Sequence, residues 1–197
     1  MPASREQLVQ LTHDPVAFLD AEDVSLRRMA VTALDPTQAQ ANVTALERLA
    51  RGADVTVRTA TAEKLGQCDE RSLRILEHLA SDAEPTVREA VATAYSELGD
   101  PQTVPWLISA AAGDSDRHVR EAAVAALGSI GDTRGIDPLL EIMKSGPPQV
   151  RRRAIAAITV FDDPRIEGAI RRAALDRNPG VREAAEMLVG KQITDSR

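Results

Sequence analysis

An arginine returns at nearly constant spacing along this 197-residue chain: Arg27, Arg58, Arg88, Arg120, Arg151 and Arg182, at gaps of 31, 30, 32, 31 and 31 residues. Each follows an apolar residue, namely Leu26, Val57, Val87, Val119, Val150 and Val181. Seven positions after each comes another: Leu34, Leu65, Tyr95, Leu127, Ile158 and Val189. A period of this length means that one short supersecondary unit is copied along the chain, each copy burying its apolar face against its neighbours. It excludes a single globule wrapped around one central site, and it marks the arginines as parts of the repeat before any function is assigned to them.

Residues 100–131 show what one copy contains. Val104, Leu107, Ile108 and Ala111 fall at helical spacing, Gly113-Asp114-Ser115 breaks the run, and Val119, Ala122, Ala123, Ala126, Leu127 and Ile130 form a second apolar stripe. A repeat is therefore a helix A, a short turn and a helix B, and links this short make the two helices antiparallel. Four residues before the arginines stand Asp23, Asp54, Glu84, Asp116, Pro147 and Asn178. Asp and Asn cap a helix by accepting from a free backbone N–H, Glu does so less well, and Pro147 departs from the rule. Pro85, Pro148 and Pro179 suit the first helical position. Three and six residues after the arginines small residues prevail, such as Ala123 with Ala126 and Ala154 with Ala157, which lets helices approach closely.

The A helices are predicted over about 38–51, 70–80, 102–112, 134–144 and 164–175, with little more than a turn at 15–20 and an extra helix over 4–13 covering one end. The expected organisation is all-α: one domain over 1–197, an α-solenoid of about six helix pairs. The repeats span approximately 4–36, 37–68, 69–99, 100–131, 132–162 and 163–190, and a short tail covers 191–197.

A cation in the first turn of helix B opposes the helix dipole by roughly 0.3–1 kcal/mol, so an acidic partner is expected. Asp82, Asp114 and Asp176 each lie six residues before an arginine and are predicted to bind these side chains, within a repeat or across to the next. Gly52 and Ser145 occupy that position in the second and fifth repeats, which leaves Arg58 and Arg151 without it, though Asp54 is near Arg58.

The run Asp-x-Asp-x-x-Val-Arg-x-Ala-Ala-x-x-Ala-Leu-Gly-x-Ile-Gly-Asp from Asp114 to Asp132, with weaker copies at Asp82–Asp100 and Asp176–Gly190, resembles the HEAT repeats. The likeness is to the short HEAT-like units named after the phycocyanobilin lyases. It implies a right-handed superhelix with the B helices on its concave face and the A helices on its convex face. It is specific for fold and weak for function, because many binding activities use such scaffolds.

No enzyme signature is present: no H-E-x-x-H, no G-x-S-x-G, no phosphate-cradling glycine loop and no G-x-G-x-x-G. The resembling deoxyhypusine hydroxylases bind iron through His-Glu pairs, but here the one adjacent pair is reversed, Glu77-His78. His78 and His118 fall in polar columns and read as surface residues, and Cys68, the single cysteine, reads as a buried, inert thiol. No metal or cofactor is expected. The net charge of −6 disfavours non-specific attraction to nucleic acid or anionic membrane, no segment is apolar enough to span a bilayer, and MPASREQLVQ has no apolar h-region, so a cytoplasmic location is expected. Abundant alanine, with arginine outnumbering lysine, hints at a GC-rich bacterial gene.

Candidate binding residues are those that break the repeat. One position after each arginine stand Arg28, Thr59, Glu89, Glu121, Arg152 and Glu183, and four further on come Thr32, Glu63, Thr93, Ala125, Ala156 and Met187. Glu63, Glu89 and Glu121 give the expected inner face an acidic centre, with Arg28 and Arg152 flanking it. Arg153 stands where other repeats have Met29, Ala60, Ala90, Ala122 and Ala184. Trp106 falls in a column with Thr44, Arg74, Asp137 and Gly168 when counted from the arginines, which places it on an exposed part of helix A as a possible hot spot. Residues 1–132 hold 12 basic and 21 acidic residues, and residues 133–197 hold 12 and 9, so the charge is uneven. The reading is a non-catalytic adaptor, scaffold or assembly factor whose partner is another protein with a basic segment. Bilin or cofactor maturation is the alternative, and nucleic-acid binding, known for some HEAT-like glycosylases, is disfavoured by the acidic centre.

Overall fold

A computed structural model describes residues 3–195. The side chains of Glu70 and of residues 189–195 lie outside that description, as do the core position expected of Val189 and the last two residues of the expected tail. Among the described residues there are helices and turns but no strand. They gather into two compact units, Met1–Leu98 and Gly99–Arg197.

In the first unit α1 (Arg5–His13) starts at a capping box, in which the Ser4 side chain accepts from Gln7 N–H and the Gln7 side chain accepts from Ser4 N–H. The first A segment is a single 3-10 turn, Pro15–Phe18, followed by α2 (Val24–Ala33). The second A segment, expected as one helix, is two: α3 (Pro36–Ala41) and α4 (Val43–Ala50). Asn42 separates them, its side-chain amide donating to the Gln38 carbonyl at 2.8 Å. A short amide that bonds its own backbone competes with the helix ladder. Then come α5 (Val55–Leu65), α6 (Leu73–Leu79) and α7 (Pro85–Leu98). The B helices α2, α5 and α7 pack in sequence, with α4 and α6 against α5 and α7.

The second unit repeats the scheme. Its A helices are α8 (Val104–Gly113), α10 (Ile136–Ser145) and α12 (Arg165–Ala173). Its B helices are α9 (Arg117–Ile130), α11 (Pro148–Ala157) and α13 (Pro179–Asp195). Helix α9 touches α11 and α11 touches α13, while each A helix packs on its own B helix. Helix α13 continues through Gly190 to Asp195.

The helix starts follow from the caps. Asp23, Asp54, Asp116 and Asn178 each accept from backbone N–H groups of the first turn, while Pro147 offers no side-chain cap. Before α7 Asp82 Oδ1 accepts from Glu84 N–H at 2.9 Å, as Asp114 and Asp176 accept from Asp116 and Asn178 N–H before α9 and α13. The stop of α9 is Gly131, in the left-handed region at φ +69°, which favours glycine.

The apolar columns on both sides of each arginine are buried, from Leu26 and Leu34 to Val150 and Ile158. Most enclosed is the small column three residues after each arginine: Ala30, Thr61, Val91, Ala123, Ala154 and Ala185 are all at 0% exposure. Close approach is needed there and one turn on. A Cβ added to Gly128 of α9 would lie 2.8 Å from the Ala157 Cα of α11, so that pair of helices tolerates only glycine at this contact.

Candidate protein-binding surface

The repeat arginines face inward along the A–B turns. Arg58 donates through Nε and Nη2 to the Asp82 carboxylate, at 2.7 and 3.0 Å, and through Nη1 to the Gly52 and Ala53 carbonyls. Arg151 does the same with Asp176, at 2.9 and 2.6 Å, and donates to the Gly146 carbonyl. Each aspartate thus belongs to the repeat after its arginine. Asp82 and Asp176 also offer their own main-chain carbonyls to Arg88 and Arg182 at 2.7 and 2.8 Å.

The expectation that Arg58 and Arg151 lack the acid is therefore reversed. They are well paired because the acid is supplied across the repeat boundary. The empty positions, Gly52 and Ser145, fall to the preceding arginines. Arg27 donates to the Ala21 and Glu22 carbonyls. Arg120 donates to the Asp114 and Ser115 carbonyls, but its Nε is buried without a hydrogen-bond partner. Asp114 accepts from Arg120 through its main chain and from the Asp116 N–H through its side chain.

These pairs are sheltered. Side-chain exposure is 14% and 10% for Arg58 and Asp82, and 15% and 14% for Arg151 and Asp176, so solvent screens them little. Burial works against the Asp82 charge, but the Arg58 and Glu84 hydrogen bonds outweigh it and hold its carboxyl below the usual range. The Arg151 hydrogen bonds do the same for Asp176 against a smaller burial cost. Arg58 and Arg151 are thus occupied as braces to the following repeat, while Arg27, Arg120 and Arg182 hold the carbonyls of their own turns.

A second set of polar links at the B–A turns escaped the sequence reading. Asp69-x-Arg71, Asp132-x-Arg134 and Asp163-x-Arg165 each fold into a clamp in which the arginine donates to the aspartate two residues before it. Hydrogen bonds from Arg134 and Arg165 hold the Asp132 and Asp163 carboxyls down at about 2. The clamps reach back one repeat: Gln40 donates to Asp69, Arg134 to the Pro101 carbonyl and Arg165 to Asp137. Their signal was present in the sequence as an acid and a base two apart, 19 residues before Arg88, Arg151 and Arg182. Lys64 was also missed. It occupies the small column six after Arg58, is 8% exposed, and donates to the Leu34 carbonyl at the end of α2 and to Gln67. A cation there suits the helix C-terminus.

What remains unpaired is the outward stripe of the B helices. In the first unit it presents Arg28 and Glu63, both exposed, and half-buried Glu89. In the second unit half-buried Glu121 and exposed Arg152, Arg153 and Glu183 line one groove of about 460 Å³ with Ala156 and Met187. The structure gathers these four charged residues but not Trp106, which stands on helix α8, in the other layer of that unit.

Trp106 is half-buried rather than exposed. The reason is register. Helix α8 and its turn are one residue longer than the others, so counting back from Arg120 misplaces it; counted forward from Asp100, Trp106 aligns with Ile75, Pro138 and Ala169. Ile75 and Ala169 are buried, and on α8 Leu107, not Ile108, takes the enclosed place of Leu76, Leu139 and Ile170. His78 and His118 are exposed, and His118 sits against the Asp116 cap. Cys68 is half-buried, with burial and Asp69 pushing its thiol up, away from the reactive thiolate. Among the described residues no three His, Cys, Asp or Glu side chains gather to hold a metal, and no helix is long and apolar enough to cross a membrane.

Stacked antiparallel helix pairs, laced at both sets of turns by residues of the repeat itself, define an all-α repeat solenoid. A family model of HEAT repeats matches residues 72–158 and 136–196, and the chain belongs to that family. No curated protein sequence matches it. Among solved structures it is similar to YibA of Escherichia coli, at 21% identity and a TM-score of 0.66, over 94% of this chain and 74% of that one. It is similar to the CpcE–CpcF complex of phycocyanin lyase from Nostoc sp., at 22% and 0.65, over 88% and 74%. It is also similar to a designed armadillo repeat protein in complex with the peptide (KR)4, at 15% and 0.59, over 90% and 97%. At these identities the likeness is one of fold.

Proposed function

We propose that this chain is a non-catalytic protein-binding module, an adaptor, scaffold or assembly factor, that takes basic segments of its partner on the outward stripes that the B helices present in each of its two units. The observation that carries this is the division of labour among the charges. The repeat arginines are committed to carbonyls and carboxylates inside the stack, whereas Glu63, Glu89 and Glu121 stand on the B-helix stripe with no ion pair among the described residues. Stripes with few aromatic anchors draw their selectivity from charge rather than from deep pockets. That a designed repeat protein of similar fold is in complex with (KR)4, and that CpcE and CpcF form a complex, supports a peptide or protein as the ligand class.

Crosslinking in native lysate followed by mass spectrometry tests the reading. The partner captured by the wild type is expected to be lost from the triple variant Glu63→Lys, Glu89→Lys, Glu121→Lys, whose helical circular dichroism should be unchanged because the sites are on the stripe. Undiminished capture by that variant overturns it. The fold likeness to a phycocyanin lyase leaves bilin or haem handling as the competing reading. Retention of either chromophore through gel filtration, with a shifted absorbance band, would replace the adaptor role.

A further inference from the structure

The groove of the second unit has a charge order of its own. Across α9, α11 and α13 the position after each repeat arginine reads Glu121, Arg152, Glu183. Arg153 doubles the positive charge at the centre. It stands in a column that is Ala122 on α9 and Ala184 on α13, and it lines the groove together with the small Ala184 and Gly180. Exposed Ala156 and Met187, the latter 69% exposed, add apolar surface between the charges. None of the four charged side chains forms an ion pair or hydrogen bond with another among the described residues. Elsewhere in the same unit Arg134, Arg151, Arg165 and Arg171 all find carboxylates. The groove is a row of alternating charge left open.

The row selects one kind of occupant. Packed helices lie about 8–10 Å apart, so the three charge stations are spread out rather than converging on a point, which suits a chain more than a small molecule. Acidic stations on both sides of the arginines repel a phosphate backbone. Residues on one face of a β-strand recur every 6–7 Å or so, too short a step, whereas a polyproline II chain brings every third residue to the same side at roughly 9 Å.

We infer that this groove binds an extended, polyproline-like partner segment carrying basic, acidic and basic residues three apart, the basic ones meeting Glu121 and Glu183 and the acidic one meeting Arg152 and Arg153. This deepens the protein-binding reading above and rests on it. It makes the partner's segment basic on balance but punctuated by one carboxylate, a feature a purely basic peptide lacks.

Fluorescence anisotropy on the full chain tests it with three labelled peptides: Lys-Pro-Pro-Asp-Pro-Pro-Lys, the reversed Asp-Pro-Pro-Lys-Pro-Pro-Asp, and Lys-Pro-Pro-Lys-Pro-Pro-Lys. The first is expected to bind about tenfold more tightly than the second at low salt, with the difference shrinking as salt is raised. Arg152→Glu with Arg153→Glu makes the row wholly acidic and should move the preference to the all-lysine peptide. Glu121→Lys with Glu183→Lys makes it wholly basic and should abolish binding of the first peptide. Circular dichroism of both variants confirms that the helices are intact. Equal affinity for the two charge orders, or a preference untouched by either double reversal, overturns the inference. If those results come while the all-lysine peptide still binds through Glu63 and Glu89, the adaptor reading stands without it. If the native partner ignores reversal of Glu63, Glu89 and Glu121, the reading itself has failed.

Discussion

Two A–B turns of the second unit differ at the position six residues before the repeat arginine, Asp176 in one and Ser145 in the other. At the turn between α12 and α13, Asp176 receives two hydrogen bonds from Arg151 of the preceding repeat. At the turn between α10 and α11, Ser145 holds the same place, six residues before a repeat arginine, and its hydroxyl turns back to Glu141. The arginine it should serve, Arg120, keeps a buried Nε with no acceptor. The comparison teaches that the arginine is only half of the brace. The carbonyls of its own turn hold it in either case, and the acid of the next repeat decides whether the guanidinium is fully satisfied.

The largest expected effect comes from breaking the complete brace. Asp176→Ala removes the partner of a sheltered cation and should cost about 2–4 kcal/mol in urea denaturation. A loss no greater than that of an average surface substitution would remove the distinction between the two turns. Completing the incomplete brace should have a smaller effect of opposite sign. Ser145→Asp offers Arg120 a carboxylate, a charge-assisted bond contributing about 1.5–3 kcal/mol, against roughly 0.3–1 kcal/mol for an anion at the end of α10. A net gain of about 1 kcal/mol is expected, and it should vanish when Arg120 is replaced by Met.

Titration sharpens the contrast further. Asp82 and Asp176 are depressed in the folded chain, so their contribution is complete above the unfolded carboxylate value, near pH 4, and fades as pH falls through the lower folded value. Stability should therefore drop on acidification below about pH 4, and Asp82→Asn with Asp176→Asn should flatten that drop. The smallest effect belongs to the B–A clamps. Arg165 is 56% exposed, so Arg165→Ala should shift the melting temperature less than any variant above, and 0.5 M salt should erase what shift there is.

Much of this was legible in the chain. The period, the caps at Asp23, Asp54, Asp116 and Asn178, and the buried columns are local consequences of helical geometry, so spacing alone reveals them. The register of α8 was not, because the 32-residue gap before Arg120 shows that a residue has been added but not where. Counting from the wrong landmark put Trp106 among exposed residues. The clamps of Asp132 and Asp163 were written as an acid and a base two apart, but that spacing carries no helical or strand period, and only the fold of the B–A turn makes it a bond. Glu121, Arg152, Arg153 and Glu183 could be named as departures from the repeat, while their meeting in one groove could not.

By itself, the sequence determined that this protein is a stack of helix pairs and which face of each helix is buried, since a periodic apolar pattern has one economical way to leave water. Only the tertiary structure decided whose aspartate Arg58 and Arg151 take. An acid 24 or 25 residues downstream and one six residues upstream are equally available on paper. The choice belongs to the packing of consecutive repeats, which sets the next repeat's turn beside the guanidinium while the arginine's own turn offers its carbonyls.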